Sequence, residues 1–391
     1  MSDVLPRPLD SKEAVIEAAM PYDSSRRTRR YVTLVVLIAL VLGGWSALWY
    51  YAAGQAREVL EGWRAREAKA GRVYTCGSES IGGYPFRIEV NCEAATALFR
   101  AIQPPLEVKT AGILAAVQIY QPDLVISEFT GPATIGDPGQ PATFSVNWSL
   151  GQASVRGTPA VPERTSVVFD APVIERLSGT SRESMLRANR IELHGRIAEG
   201  SVADKPVIEA ALRAEGISAP SIHAVAAQPL DADITAVLRG LNDFAPKPWA
   251  VRFREIQAAG GRIDISRARI QQGMILAVGS GSLSLNPQGR LTGQLRVTIS
   301  GVEEFLDKIG AQRMVQNSPT MDRLAGFLDR FSPGLGNAAR QQAGANISAG
   351  INMLGEQTTL EGRRAVTLPL RFDDGAVFLG PIPIGNTPAL F

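Results

Sequence analysis

The feature that most constrains this chain is a charge-free segment near its N-terminus. No Asp, Glu, Lys or Arg occurs from residue 31 to residue 56, and residues 31–51 read YVTLVVLIALVLGGWSALWYY. As an α-helix, the segment 31–51 would be about 31 Å long, which matches the hydrocarbon core of a bilayer. Aromatic residues lie at both of its ends, as is typical of side chains at the headgroup level. The sequence therefore predicts a transmembrane helix over 31–51.

A cleavable secretory signal is the alternative interpretation of this segment. Such a signal begins near residue 1 and ends at small residues, whereas here the polar segment 1–30 comes first and Trp-Tyr-Tyr occupies 49–51. A retained single span is therefore favoured. The arginines within 26–30 predict a cytoplasmic N-terminus by the positive-inside rule. Residues 1–30 are accordingly predicted to be a cytoplasmic tail. The part of the chain that follows the span is predicted to lie on the opposite side of the membrane.

Beyond the span, the composition predicts a short helix and then a long β-rich region. Residues 52–70 contain helix-compatible residues with an apolar stripe, which indicates a juxtamembrane helix. From residue 71 to 391, short alternating runs are broken by Gly, Pro, Asn and Asp, which is typical of strands. We expect one extracytoplasmic β-rich domain over 71–391. Its stretches 71–230 and 245–391 are candidates for two related modules.

The expected fold class is mainly β with some α, in antiparallel sheets. The clearest hairpin is 281–301, GSLSLNPQGRLTGQLRVTISG, in which apolar and polar residues alternate around an Asn-Pro-Gln-Gly turn. A second is predicted over 366–379, where Asp-Gly separates two alternating runs. The alternation of Trp249, Val251 and Phe253 indicates another strand. Alternating residues also predict strands at 144–150 and around Ile191.

Helical spacing interrupts this β pattern twice. A helical block near 302–354 is predicted from three apolar-periodic stretches, 302–316, 319–331 and 337–354. We expect it to cover the apolar faces of the strands on either side of it in sequence. A smaller helix is predicted over 231–244, because Ile234, Val237, Leu238 and Leu241 fall on one helical face.

The chain has two cysteines, Cys76 and Cys92, which end two short alternating runs separated by Gly and Pro. A pair of cysteines in an oxidising compartment is expected to form a disulfide. Free buried thiols and a catalytic role remain open alternatives. The short C-x-x-C spacing usual for redox catalysis is absent.

Candidates for chemistry are few. The chain has 40 Lys+Arg against 38 Asp+Glu, a net charge of +2, so it lacks the basic surplus that a nucleic-acid partner requires. Its two histidines, His194 and His223, are far from each other in sequence. Asp373-Asp374 is interpreted as a solvated turn, and Gly279-Ser280-Gly281 lacks the third glycine of a dinucleotide site. We expect no enzymatic activity, no catalytic residue, no cofactor and no metal.

Two terminal motifs carry a resemblance to a known family. The residues GGYPFR at 82–87 and the tail LRFDDGAVFLGPIPIGNTPALF at 370–391 resemble an uncharacterised bacterial envelope family catalogued as domain of unknown function 2125, and the hairpin 281–301 fits it too. The resemblance implies a single-span envelope protein of Gram-negative bacteria, and it supplies no site residue. More distantly, the chain is similar to AsmA-like envelope proteins, which are associated with lipid or outer-membrane homeostasis.

Together these observations lead to three functional hypotheses for an inner-membrane protein whose main domain is periplasmic. The first is a binding module that holds lipid or another apolar ligand in a β-sheet groove. The second is a scaffold that contacts other envelope proteins. The third is a periplasmic enzyme. A long apolar groove would favour the first hypothesis, flat filled faces the second, and a polar cleft with perturbed carboxylates the third.

Overall fold

The computed structural model describes residues 24–157, 162–199, 201–202, 205–222, 224–244, 247–309, 355–380 and 382–391. Its first element is one long helix, α1 Ser24–Lys69, which includes the predicted span and most of the predicted juxtamembrane helix. By length and composition α1 is able to cross a membrane. The chain divides into two compact units, Met1–Tyr51 and Ala52–Phe391. The predicted tail, 1–30, lies largely outside the described residues.

The second unit is dominated by antiparallel strands. The first ten are β1 Arg72–Thr75, β2 Ser78–Gly82, β3 Arg87–Phe99, β4 Leu106–Gln118, β5 Gln121–Gly136, β6 Phe144–Asn147, β7 Leu150–Arg156, β8 Arg164–Asp170, β9 Val173–Ser178 and β10 Ser181–Arg187. The remainder are β11 Arg190–Ile197, β12 Ile208–Ile217, β13 Leu230–Arg239, β14 Arg262–Gln272, β15 Ile275–Leu285, β16 Leu291–Ser300, β17 Glu356–Leu360, β18 Arg363–Asp373, β19 Ala376–Leu379 and β20 Ile382–Asn386. Two further helices, α2 Trp249–Ala258 and α3 Val302–Ile309, follow β13 and β16. A mainly β fold with some α is thereby confirmed.

These strands form one antiparallel sheet in which most pairings join strands that are close in sequence. β3 pairs with β4, β4 with β5, and β5 with both β6 and β7, which together run along its other edge. In the same way, β8 and β9 are the two halves of one interrupted strand, which pairs with β7 and β6. β10 and β11 are the two halves of the next interrupted strand, which pairs with β9 and β8. From β11 to β16 the pairing is strictly sequential. Hydrogen bonding therefore continues across residues 230–245, where the two candidate modules were divided.

The C-terminal part of the sheet departs from this sequential order. After β16 the chain forms α3, and the next described strands are β17 and β18. β18 pairs with β16 along one edge, and with β17 and then β19 along the other. The hairpins predicted over 281–301 and 366–379 are confirmed as β15–β16 and β18–β19. Of the predicted helical block 302–354, α3 is confirmed, and residues 310–354 lie outside the described residues.

Two local predictions were wrong, and they are adjacent in the chain. The predicted helix 231–244 is the strand β13, which hydrogen-bonds to β12 and β14 on its two sides. Its apolar residues satisfy both a period of two and a period of 3.6, so tertiary pairing decides between the two conformations. The predicted strand at Trp249–Phe253 is the start of α2. Arg252 and Ile256, four residues apart, are its buried positions, and this spacing is helical.

Candidate functional site

The register of the sheet aligns apolar side chains on one face. In an antiparallel pair, directly opposite residues project to the same face. One row of such pairs crosses the sheet from β3 to β18, and we call it the apolar row. Its members are Val90, Ala115, Ser127, Ala153, Val167, Leu193, Leu212, Ile234, Ala268, Gly279, Val297 and Leu368. Ser127 is its one polar member.

The opposite face of the sheet is polar. The row next to the apolar row contains Glu89, Ser154, Ser166, His194, Thr235 and Arg267, along with Ala116, Ile126 and Ala211. A sheet with one apolar and one wetted face must cover the apolar face or leave part of it as a groove. The apolar face is therefore the candidate functional site.

Helix α3 covers one part of this face. Val302 and Leu306 of α3 pack into a buried cluster with Ile299, Val366 and Leu368 of β16 and β18. Leu368 is 2% exposed. The expectation that helical residues after 301 cover the faces of these strands is confirmed for α3, whose Phe305 contacts the same cluster as Val297 and Leu370.

Helix α2 lies over another part, and a cavity of about 310 Å³ remains beneath it. The cavity is lined from the sheet side by Ile208, Leu238, Ile263 and Leu283, which face one another across β12–β15. From α2 the lining side chains are Trp249, Arg252, Phe253 and Ile256, and Leu390 of the C-terminal tail also contributes. The volume is at the small end of the range for ligand pockets, about 300–1,000 Å³.

A network of charged side chains holds α2 in place over this cavity. The buried Arg252 guanidinium donates hydrogen bonds to Glu255 Oε2 at 3.1 Å and to Asp243 Oδ1 at 3.0 Å. Lys247 Nζ bridges the same two carboxylates, at 2.7 Å from Asp243 Oδ2 and 2.6 Å from Glu255 Oε1. These hydrogen bonds raise the pKa of Lys247, with that to Asp243 contributing most. The network ties the loop before α2 to the helix itself, and so fixes the wall of the cavity.

Away from these two helices, the apolar row is more accessible. Leu193 of β11, at the centre of the row, is 50% exposed. Its neighbours in the row, Val167 and Leu212, are partly buried. The apolar face is therefore accessible to solvent at β11.

The two cysteines form the disulfide Cys76–Cys92, with a Cα–Cα separation of 5.3 Å, so the predicted bridge is confirmed. The bridge links the end of β1 to β3. Arg64 of α1 donates a hydrogen bond to Cys76 Sγ at 3.3 Å and forms an ion pair with Glu79 of β2. The disulfide is therefore part of the contact between the helical segment 52–69 and the first strands.

The other residues singled out from the sequence lie on the polar face or in turns. His194 Nδ1 is 2.9 Å from Ser166 Oγ, and its Nε2 is 3.3 Å from Glu192 Oε2. The hydrogen bond from Arg190, and then that from His194, holds the pKa of Glu192 below its usual range. Asp374 accepts a hydrogen bond from Asn286 in the neighbouring turn. His223 lies outside the described residues.

Gly279-Ser280-Gly281 lies within β15, where both glycines project to the apolar face. At Gly281, φ is +151°, and an added Cβ would lie 2.3 Å from the carbonyl oxygen of Gln294 on β16. Only glycine permits this close approach of two strands. The motif therefore serves sheet geometry.

Among the described residues, no three His, Cys, Asp or Glu side chains come together as a metal-binding group. The expectations of no metal, no cofactor and no catalytic residue stay predictions. Sequence reasoning missed the cavity under α2, whose lining comes from five strands, one helix, the loop before that helix and the C-terminal tail. The sequence shows the alternation of apolar residues around Ile263 and Leu283. It does not show that these side chains meet in one cavity.

The fold and the site define a class: a β-sheet protein with an N-terminal apolar helix and one continuous apolar sheet face. A family model described as "Uncharacterized protein conserved in bacteria (DUF2125)" matches residues 49–388. The chain belongs to this family, and the resemblance noted at residues 82–87 and 370–391 is confirmed. A comparison with curated proteins found no match.

Proposed function

We propose that this protein is a membrane-anchored, non-enzymatic binding module that holds an acyl chain or a comparable apolar ligand on its apolar sheet face. The observation that carries this proposal is the apolar row, which is unbroken in register across the sheet and half exposed at Leu193. An apolar ligand seated there would remove this surface from water, at about 25 cal/mol for each Å² of apolar area buried. The cavity beneath α2 offers a second, more enclosed site on the same face.

The proposal includes a location. We infer that α1 anchors the chain in the bacterial inner membrane with the N-terminus cytoplasmic and the main domain periplasmic. The support is the apolar helix, the arginines within 26–30, and a disulfide, which persists in an oxidising compartment such as the periplasm. A reporter fused after Phe391 that works only in the periplasm should be active, and activity of a cytoplasm-specific reporter at that position would reverse the orientation.

The binding proposal is tested by placing a carboxylate in the open part of the groove. Leu193→Asp puts an ionised group where an apolar chain would lie, which is unfavourable for the ligand, yet Leu193 is accessible enough for water to reach the carboxylate. The matched control is Ile126→Asp. Ile126 is also a strand residue, is 44% exposed, and projects from the polar face.

The full chain is purified in detergent with each substitution, and co-purifying lipid is measured by extraction and native mass spectrometry. We expect lipid on the wild type and on Ile126→Asp, and its loss from Leu193→Asp, which should remain folded with only a modestly lower unfolding midpoint. If the wild type carries no lipid, or if both variants retain it equally, the binding-module proposal fails. The alternative of a scaffold that contacts other envelope proteins then takes its place.

A further inference from the structure

The exposed aromatic side chains of the second unit are concentrated at one end of the sheet. This end, which we call the aromatic rim, contains the β2–β3 turn, the β4–β5 turn and the β13–β14 connection with α2. Its exposed aromatic side chains are Tyr84, Phe86, Tyr120, Phe244 and Trp249. At the opposite end, the exposed large apolar residues described by the structure are Ile102, Ile222 and Met274, and none of these is aromatic.

The helical segment 52–69 runs along the first strands towards this rim. Glu67 forms an ion pair with Arg72 at the start of β1, and Trp63 stacks on Tyr74 with ring centroids 4.8 Å apart. Arg64 reaches still further, to Glu79 of β2. Residues 63 and 64 of the helix thus contact positions further along the chain than residue 67 does. The segment is antiparallel to β1 and β2, and its residue-52 end points towards the aromatic rim.

The lengths of the two elements agree with this direction. From Arg64 back to residue 52 the helix rises about 18 Å at 1.5 Å for each residue. From Glu79 to the end of β2 at Gly82 the strand advances about 10 Å towards the rim. The residue-52 end is therefore the end of the segment nearer to the rim, and it is bonded directly to Tyr51, the last residue of the apolar segment 31–51.

We infer that the aromatic rim lies in the headgroup layer of the phospholipid bilayer to which α1 anchors the chain. Tyr and Trp combine an apolar ring with a polar group, and for this reason they favour the membrane–water interface. Phe244 and Trp249 of the rim also line the cavity beneath α2. This step rests on the proposed binding function. If the rim lies in the headgroup layer, the ligand of the apolar face is a lipid drawn from the same leaflet of that bilayer.

Membrane contact is measured on the full chain in vesicles of phosphatidylethanolamine and phosphatidylglycerol. Tyr120→Cys places a single free thiol for an environment-sensitive fluorophore on the rim, while Cys76–Cys92 stays oxidised. Met274→Cys is the matched control, because Tyr120 is 71% exposed and Met274, at the opposite end of the sheet, is 64% exposed. Nitroxide-labelled phospholipid in the vesicles quenches a fluorophore only when the two are close.

We expect a blue shift and strong quenching for the label at 120, with neither effect at 274. A label at Trp249→Cys provides a second reporter on the rim should Tyr120→Cys fold poorly. Equal quenching at the rim positions and at 274 would overturn the inference. Repeating the measurement in Leu193→Asp separates the two proposals, because rim quenching that persists without co-purified lipid supports membrane contact alone.

Discussion

One pair of substitutions compares the stability that packing contributes beneath α3 with the stability that it contributes in the open part of the same face. Leu368 and Leu193 are members of the apolar row, and both are changed to Ala. Leu368 is fully enclosed by β16, β18 and α3, so Leu368→Ala leaves a cavity, for which the expected loss is about 2–5 kcal/mol.

Leu193 is half exposed, so Leu193→Ala loses only part of the transfer free energy of its side chain. With about 1.5–3 kcal/mol for burying a whole Leu, the expected loss is about 1 kcal/mol. No cavity forms at an accessible position, and the difference between the two variants is therefore about 1–4 kcal/mol.

The measurement is urea unfolding of the full chain in detergent, followed through tryptophan fluorescence, with comparison of midpoints at unchanged slope. A clearly lower midpoint for Leu368→Ala than for Leu193→Ala is expected. If Leu193→Ala costs as much as Leu368→Ala, the face is as tightly packed at β11 as beneath α3. In that case, the groove on which the proposed function depends does not exist.

Three further outcomes follow from the described contacts. Cys92→Ser should lower the free energy of unfolding by about 3 kcal/mol in the chain-entropy model for a loop of this size, measured against the reduced wild type as a control. The hydrogen bond from Ser282, with those from nearby arginines, lowers the pKa of Asp264. The stabilisation of the folded state by the Asp264 carboxylate is therefore present above the unfolded pKa of about 3.9 and is lost as pH falls through the folded pKa. The free energies of unfolding of the wild type and Asp264→Asn should consequently converge in acid. Arg252→Met should leave its carboxylate partners without a buried cation, loosen α2 and speed proteolysis within 240–261, whereas the exposed Arg254→Met should not.

The parts of the fold that the sequence predicted are those in which one physical signal acts alone. The β15–β16 hairpin alternates strictly, because one of its faces is apolar and the other is wetted, and its turn residues have no competing conformation. β13 and α2 were interpreted the wrong way round because a segment of about ten residues with three or four apolar positions fits both periods. The conformation of β13 is decided by its pairing with β12 and β14. The conformation of α2 is decided by the burial of Arg252 and Ile256.

The candidate site could be anticipated only in kind. That the strands would have one apolar face follows from alternation within each strand, but the apolar row requires their registers, including the shifts between Thr235 and Ala236 and between Ile265 and Ala268. A slip of one residue in either strand would turn its side chains to the other face. Such long-range registers are not encoded in any single segment of the sequence.

The contacts of the helical segment 52–69 bear on why the domain is attached as it is. A flexible linker would tether a domain to a membrane at almost no structural cost, and would leave it free to rotate. Here Trp63 stacks on Tyr74, Glu67 pairs with Arg72, and Arg64 contacts both Glu79 and the bridged Cys76. Stacking, ion pairs and the hydrogen bond from Arg64 to the bridged Cys76 together hold the segment in one direction along β1 and β2. Such fixation is consistent with the proposed function, because a groove proposed to take lipid from the bilayer through one rim depends on the direction in which that rim faces.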